Sequence, residues 1–82
     1  MTAGAVLSEV NAIFVEELAD QSIVIGPETT ADDVDGWDSL THVQLVVAIE
    51  KHFKIRFTAG EIQRFRNVGE MCDVIMAKLG RG

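Results

Sequence analysis

The stretch Gly36-Trp37-Asp38-Ser39-Leu40 holds the residues of this chain best suited to chemistry, an alcohol beside a carboxylate at the junction of an acidic loop and an apolar helical run. Two chemistries are open to Ser39 on residue type alone. It can cap the helix, since Asp and Ser oxygens satisfy the unpaired amides of a helix start. It can also be a nucleophile, because His42 lies three residues further along the same helical face. A hydrolase, however, needs a base held by a third group and donors aimed at a developing oxyanion. Ser39 is flanked by Asp38 and Leu40 rather than by the glycines of a nucleophile turn, so no catalytic residue is expected. His42 and His52 read as surface histidines, and neither has metal-ligand company at useful spacing.

The remaining reactive types fare less well. Asp32, Asp33, Asp35 and Gly36 invite a calcium-loop reading, but with Gly36 at the sixth position Ala31 falls at the first and His42 at the twelfth. Both end ligands are missing, and no metal site is expected. Cys72 lies on an apolar stripe with nothing nearby to activate it, so it reads as a small buried packer.

Four helices must position Ser39. Leu7, Val10, Phe14 and Leu18, with Val6 and Ile13, recur at three and four residues and predict a helix over about 3–19, with Asn11 on its polar side. A long connection follows, broken at Gly26-Pro27, and a loop of such length needs anchors. Ile23, Val24 and Ile25 supply them, and Val34 adds another. The second helix is predicted over about 39–53; its apolar residues wrap well beyond one stripe, which marks a central helix packed on several sides. Leu45 and Val47 are the residues of that set that could instead face partners. Thr58 and Glu61 form a capping-box pattern that opens a short helix over about 59–65, and Asn67 with Glu70 repeats it before a last helix over about 68–79. The expected fold is all-α: a single four-helix domain, 1–82, of three longer helices and one short third helix, with a long first loop.

Size and charge narrow the function. Eighty-two residues make one domain with room for one core and none for a large enclosed active site. The single cysteine excludes an internal disulfide, no apolar run is long enough to span a membrane, and no secretory leader is evident, so a cytoplasmic protein is expected. Residues 1–50 carry ten acids and no Lys or Arg, whereas residues 51–82 carry all seven bases against three acids. The halves, at −10 and +4, present opposite fields and favour partners with matching patches. Acids around Ser39 would repel phosphates, which argues against a nucleic-acid partner.

Asp38-Ser39-Leu40, followed by Val43, Leu45, Val46, Ile49 and Phe53 and then by Phe57, Ile62, Phe65 and Val68, resembles the acyl carrier protein family from about Val6 to Leu79. The resemblance implies that Ser39 accepts 4'-phosphopantetheine from coenzyme A, and that the chain carries an acyl or aminoacyl group as a thioester on that arm. Asp38 would then both cap the helix and contact the modifying transferase, and Leu40 would be packed and also meet partners. The phosphodiester would lie beside free backbone amides and the positive end of the helix dipole. The implied partners are a phosphopantetheinyl transferase, an acyl- or aminoacyl-loading ligase and a downstream synthase or transferase, with no nucleic acid and no membrane, acting on a monomer in fatty acid, polyketide or nonribosomal peptide biosynthesis. By positional match Val43, Val46, Ile49, Phe57, Ile62 and Phe65 would line an acyl pocket, though in the unloaded protein they read as core. The bulk of Phe57 and Phe65 favours a short or polar cargo over a long fatty chain. Thr41, Gln44, Val47 and Lys51 are the expected docking residues; in the family this helix is commonly rich in acids, and here Thr41, Gln44, Lys51 and His52 stand where acids would be expected. That departure fits a discrete carrier of a specialised route better than the housekeeping fatty-acid carrier. The competing reading is a non-catalytic helical interaction module in which Ser39 is only a cap. Either way Ser39→Ala should cost at most about one kcal/mol.

Overall fold

A computed structural model describes residues 2–80. Four helices, α1 (Ala3–Leu18), α2 (Ser39–Phe53), α3 (Ala59–Arg64) and α4 (Val68–Leu79), form a bundle in which α1 packs against both α2 and α4. There are no strands among the described residues, and no helix is long and apolar enough to cross a membrane. The core is built from Val6, Val10 and Phe14 of α1, Leu45 and Ile49 of α2, and Val68, Met71 and Ile75 of α4, all fully buried. Cys72 is buried beside them, where desolvation pushes its thiol pKa up.

Local chemistry ends each helix. Thr2 caps α1 by accepting from Ala5 N, and the helix stops one residue short of the expected range because Ala19 turns left-handed, with φ 51°. Thr58 and Glu61 cap each other's amides at α3, which ends at Arg64 where Phe65 turns extended. Asn67 accepts from Glu70 N and so opens α4.

The long loop is held from two sides. Ile23 and Ile25 are buried, whereas Val24 is exposed and anchors nothing. Asn11 is not simply on the polar side of α1: its Oδ1 accepts from Ile25 N (2.7 Å) and its Nδ2 donates to Ile23 O (3.4 Å), satisfying backbone that no ladder serves. At the other side, Val68 N donates to Thr29 O (2.9 Å) and Gly69 N to Pro27 O (2.8 Å). The loop's carbonyls therefore serve the first free amides of α4. A 3-10 turn at Ala31–Asp33, closed by Thr30 and Asp33, then delivers the chain to the start of α2.

The expectation of α2 as the central helix needs correction. Helix α1 has that role, and α2 leaves part of its wide apolar arc in solvent: Leu40 is 71% exposed, Val43 57% and Val47 41%. A short α3 cannot cover that arc, and it is held at the bundle's edge by Lys78, which pairs with Glu61 (3.0 Å) and lies over the Phe57 ring.

Candidate functional site

The start of α2 is fixed by one carboxylate and one hydroxyl. Asp38 Oδ1 accepts from Leu40 N and Thr41 N, both at 3.0 Å, and these bonds, with that to Thr41 foremost, hold the Asp38 carboxyl below the usual carboxylate range. The Thr41 hydroxyl accepts from Asp38 N (2.7 Å) and donates to Gly36 O (2.6 Å), at the left-handed Gly36 (φ 87°). Asp38 is thus the cap, and the reading in which Ser39 serves only as a cap is not favoured. Ser39 is the first residue of the helix, exposed, and its hydroxyl makes no hydrogen bond among the described residues.

The amides of this turn are largely spoken for. Leu40 and Thr41 donate to Asp38 Oδ1, and His42 N donates to Asp38 O (2.8 Å). A phosphodiester on Ser39 would therefore meet the Ser39 N–H and the helix dipole rather than a row of free donors, which corrects the expectation of several free amides. Compensation lies across a cleft of about 490 Å³ beside Ser39, whose near wall is Trp37 and His42 and whose far wall is Ile62, Gln63, Phe65 and Arg66. Arg66 makes no ion pair among the described residues. An exposed, unengaged alcohol with a guanidinium and an amide facing the same cleft fits the anionic arm.

Trp37 and His42 were not legible as a unit. Trp37 is buried, with its indole edge-on to Phe14 at 4.9 Å between ring centres and stacked on His42 at 6.0 Å. Its Nε1–H donates to His42 Nδ1 (3.1 Å), which leaves the imidazole proton on Nε2, facing Ile62 O at 3.3 Å. His42 is half-buried rather than a surface histidine, and with both nitrogens engaged it is no base for Ser39.

The other expected site residues divide. Gln44, Val47 and Lys51 are exposed on α2. Thr41 is half-buried, its hydroxyl committed to the cap, so it is a lock on Asp38 rather than a docking contact. Leu40 is exposed, not packed, and with Val43 and Val47 it forms a stripe at helical spacing that the sequence signalled only through an apolar arc too wide for one core. Leu45, the other candidate for facing partners, is fully buried. The six expected pocket residues do not converge: Val43 faces solvent, Val46 and Ile49 lie in the core, Phe57 packs edge-on to Phe65 at 5.3 Å, and only Ile62 and Phe65 line the cleft beside Ser39. Among the described residues no group of three or more His, Cys, Asp or Glu is placed to hold a metal ion.

Comparison with known proteins agrees with this geometry. A family profile described as a phosphopantetheine attachment site matches residues 8–75. The chain is 36% identical to an acyl carrier protein of Phenylobacterium zucineum over 92% of its own length and 95% of that protein's. It is 29% identical to an acyl carrier protein of Thermosynechococcus vestitus over 96% and 98%. Its fold is similar to the solution NMR structure of a holo acyl carrier protein from Geobacter metallireducens, with a TM-score of 0.87 and 45% identity, covering 93% of this chain and 87% of that one.

Proposed function

The chain belongs to the acyl carrier protein family and is a non-catalytic carrier bearing covalent 4'-phosphopantetheine, and from that premise we propose that Ser39 is the attachment site. The observation that supports this most is the division of labour at the helix start: Asp38 does the capping, which leaves the Ser39 alcohol exposed and unengaged. When bound, the group supplies a thiol on a long flexible arm, on which cargo is held as a thioester. The protein holds the attachment point rigid through the Asp38–Thr41–Gly36 bonds, and Arg66 and Gln63 stand ready for the anionic end of the arm. Tethering raises the local concentration of cargo at each partner, so weak docking suffices.

The partners are a phosphopantetheinyl transferase, a loading ligase and a downstream synthase or transferase, met in the cytoplasm by a monomer. Their docking surface is the stripe Leu40, Val43 and Val47, with Gln44 and Lys51 alongside. Its ends differ in sign, with Asp35 and Asp38 near Ser39 and Lys51, Lys54 and Arg56 at the far end, which suits a partner whose apolar patch has a basic rim on one side and an acidic rim on the other. This pattern supports a carrier dedicated to a specialised route. Incubation with coenzyme A and a broad-specificity phosphopantetheinyl transferase, followed by intact mass, tests the assignment. One added phosphopantetheine on the wild type and none on Ser39→Ala is expected; an unmodified wild type, or a modified variant, overturns it.

A further inference from the structure

Helix α3 makes few close backbone approaches to the other helices, so α2 and α3 are bridged by side chains. Among the described residues His42 is the one that joins the two helices by a polar contact. Held from below by the Trp37 indole, its ring reaches Ile62 O, while Phe65 packs edge-on against it at 6.4 Å. The path from Ser39 into the bundle therefore meets a planar ring fixed at both nitrogens and covered by two aromatic neighbours. Opening that path would break two hydrogen bonds and leave the buried indole N–H without its partner.

We propose that His42 is a specificity gate that closes the interior of the bundle to cargo, so that a short acyl group lies in the outer cleft between Trp37 and Phe65, beside Ser39. The proposal rests on Ser39 being the attachment site and names the cargo class that this site accepts. The cleft, at about 490 Å³, combines apolar groups of Ala31, Ile62 and Phe65 with polar groups of Asp38, Gln63 and Arg66, which suits a few carbons ending in a hydrogen-bonding group. A long saturated chain gains nothing there, because its distal carbons would remain in water.

Loading with acetyl, butyryl, octanoyl and dodecanoyl groups from the corresponding coenzyme A derivatives, using a broad-specificity transferase, provides the test. Intact mass reports attachment and thermal unfolding reports burial. For the wild type the midpoint should rise by a few degrees at most from acetyl to butyryl, as the cleft fills, and stay within about 2 °C from butyryl to dodecanoyl; an octanoyl chain buried in the bundle would raise it by about 10 °C or more, given the stabilisation expected per buried methylene. In His42→Ala the midpoint should climb with chain length. Should that variant not fold, Trp37→Phe, which removes the indole donor, takes its place with the same expectation. Methyl resonances of Ile49 and Ile75 in the octanoyl wild type should stay where they are in the unacylated protein, while those of Ile62 move. A wild-type midpoint that goes on climbing beyond butyryl, shifted Ile49 and Ile75 methyls, or a flat series in the variant each overturns the gate. A chain that gains no mass overturns the attachment assignment and the gate with it, whereas failure of the gate alone appears in chains that carry the acylated arm.

Discussion

Gly69→Ala should destabilise the protein although it replaces a helical glycine by the best helix former. A Cβ at Gly69 would lie 2.7 Å from Pro27 O and 3.3 Å from both Pro27 Cβ and Asn67 Oδ1. The first contact is with backbone, so relief requires the loop to retreat from α4 by about half an ångström. That movement stretches Gly69 N to Pro27 O and its neighbour Val68 N to Thr29 O, at 2.8 and 2.9 Å. Each bond contributes about 0.5–1.5 kcal/mol net, against a helix-propensity gain of at most about 1 kcal/mol. The two bonds together contribute about 1–3 kcal/mol, so even with the propensity gain at its ceiling the balance is a loss of up to about 2 kcal/mol, or a fall of up to roughly 16 °C in the midpoint for a domain of this size. Gly4→Ala is the matched control, since Gly4 is likewise the second residue of its helix and an added Cβ there meets nothing within 4 Å. It should stabilise by up to about 1 kcal/mol. Urea and thermal unfolding of both variants measure the difference. If Gly69→Ala raised the midpoint as Gly4→Ala does, the loop would not be clamped on α4 as described.

Asn11→Ala should cost about 1–3 kcal/mol by unfolding, more than a polar-face residue would, because Ile25 N loses the one acceptor it has among the described residues, in a part-buried position. Ser39→Ala should change stability by less than about 0.5 kcal/mol, smaller than the cap loss expected from sequence, because Asp38 is the cap and the Ser39 hydroxyl makes no hydrogen bond among the described residues. Acidification should loosen the starts of α2 and α3 together. Asp38 is held low chiefly by the Thr41 amide and Glu61 chiefly by the Thr58 amide and then Lys78; a carboxyl depressed in the folded state contributes above its unfolded pKa and loses that contribution as pH falls through its folded one. Unfolding midpoints should therefore be level from neutrality to about pH 5 and decline below about pH 4, with the decline blunted in Glu61→Gln.

What was legible in the sequence was local. Asp38 as a cap, the Thr58 and Glu61 box, and the stripes of α1 and α4 each depend on residues within one or two turns, and the spacing from Ser39 to Val68 carried the family. What escaped depended on distant partners. Asn11 reads as an ordinary polar residue until Ile23 and Ile25 are brought to it, and His42 as a surface histidine until Trp37 and Ile62 close around it. The wide apolar arc of α2 has two meanings, a central helix or a docking face, and periodicity cannot separate them because both look the same along the chain. Only the arrangement of α1 between α2 and α4 shows that Leu40, Val43 and Val47 are left uncovered.

The central claim is that the alcohol of residue 39, and no other, receives the arm. Fragment mass spectrometry of peptides from the transferase-treated protein tests it most directly, because Ser8 and Ser22 are present as internal alternatives. Phosphopantetheine solely on the peptide containing Ser39, with fragment ions placing it on that residue, is the expected result. Its appearance on Ser8, Ser22 or a neighbouring threonine, with Ser39 unmodified, would contradict the account.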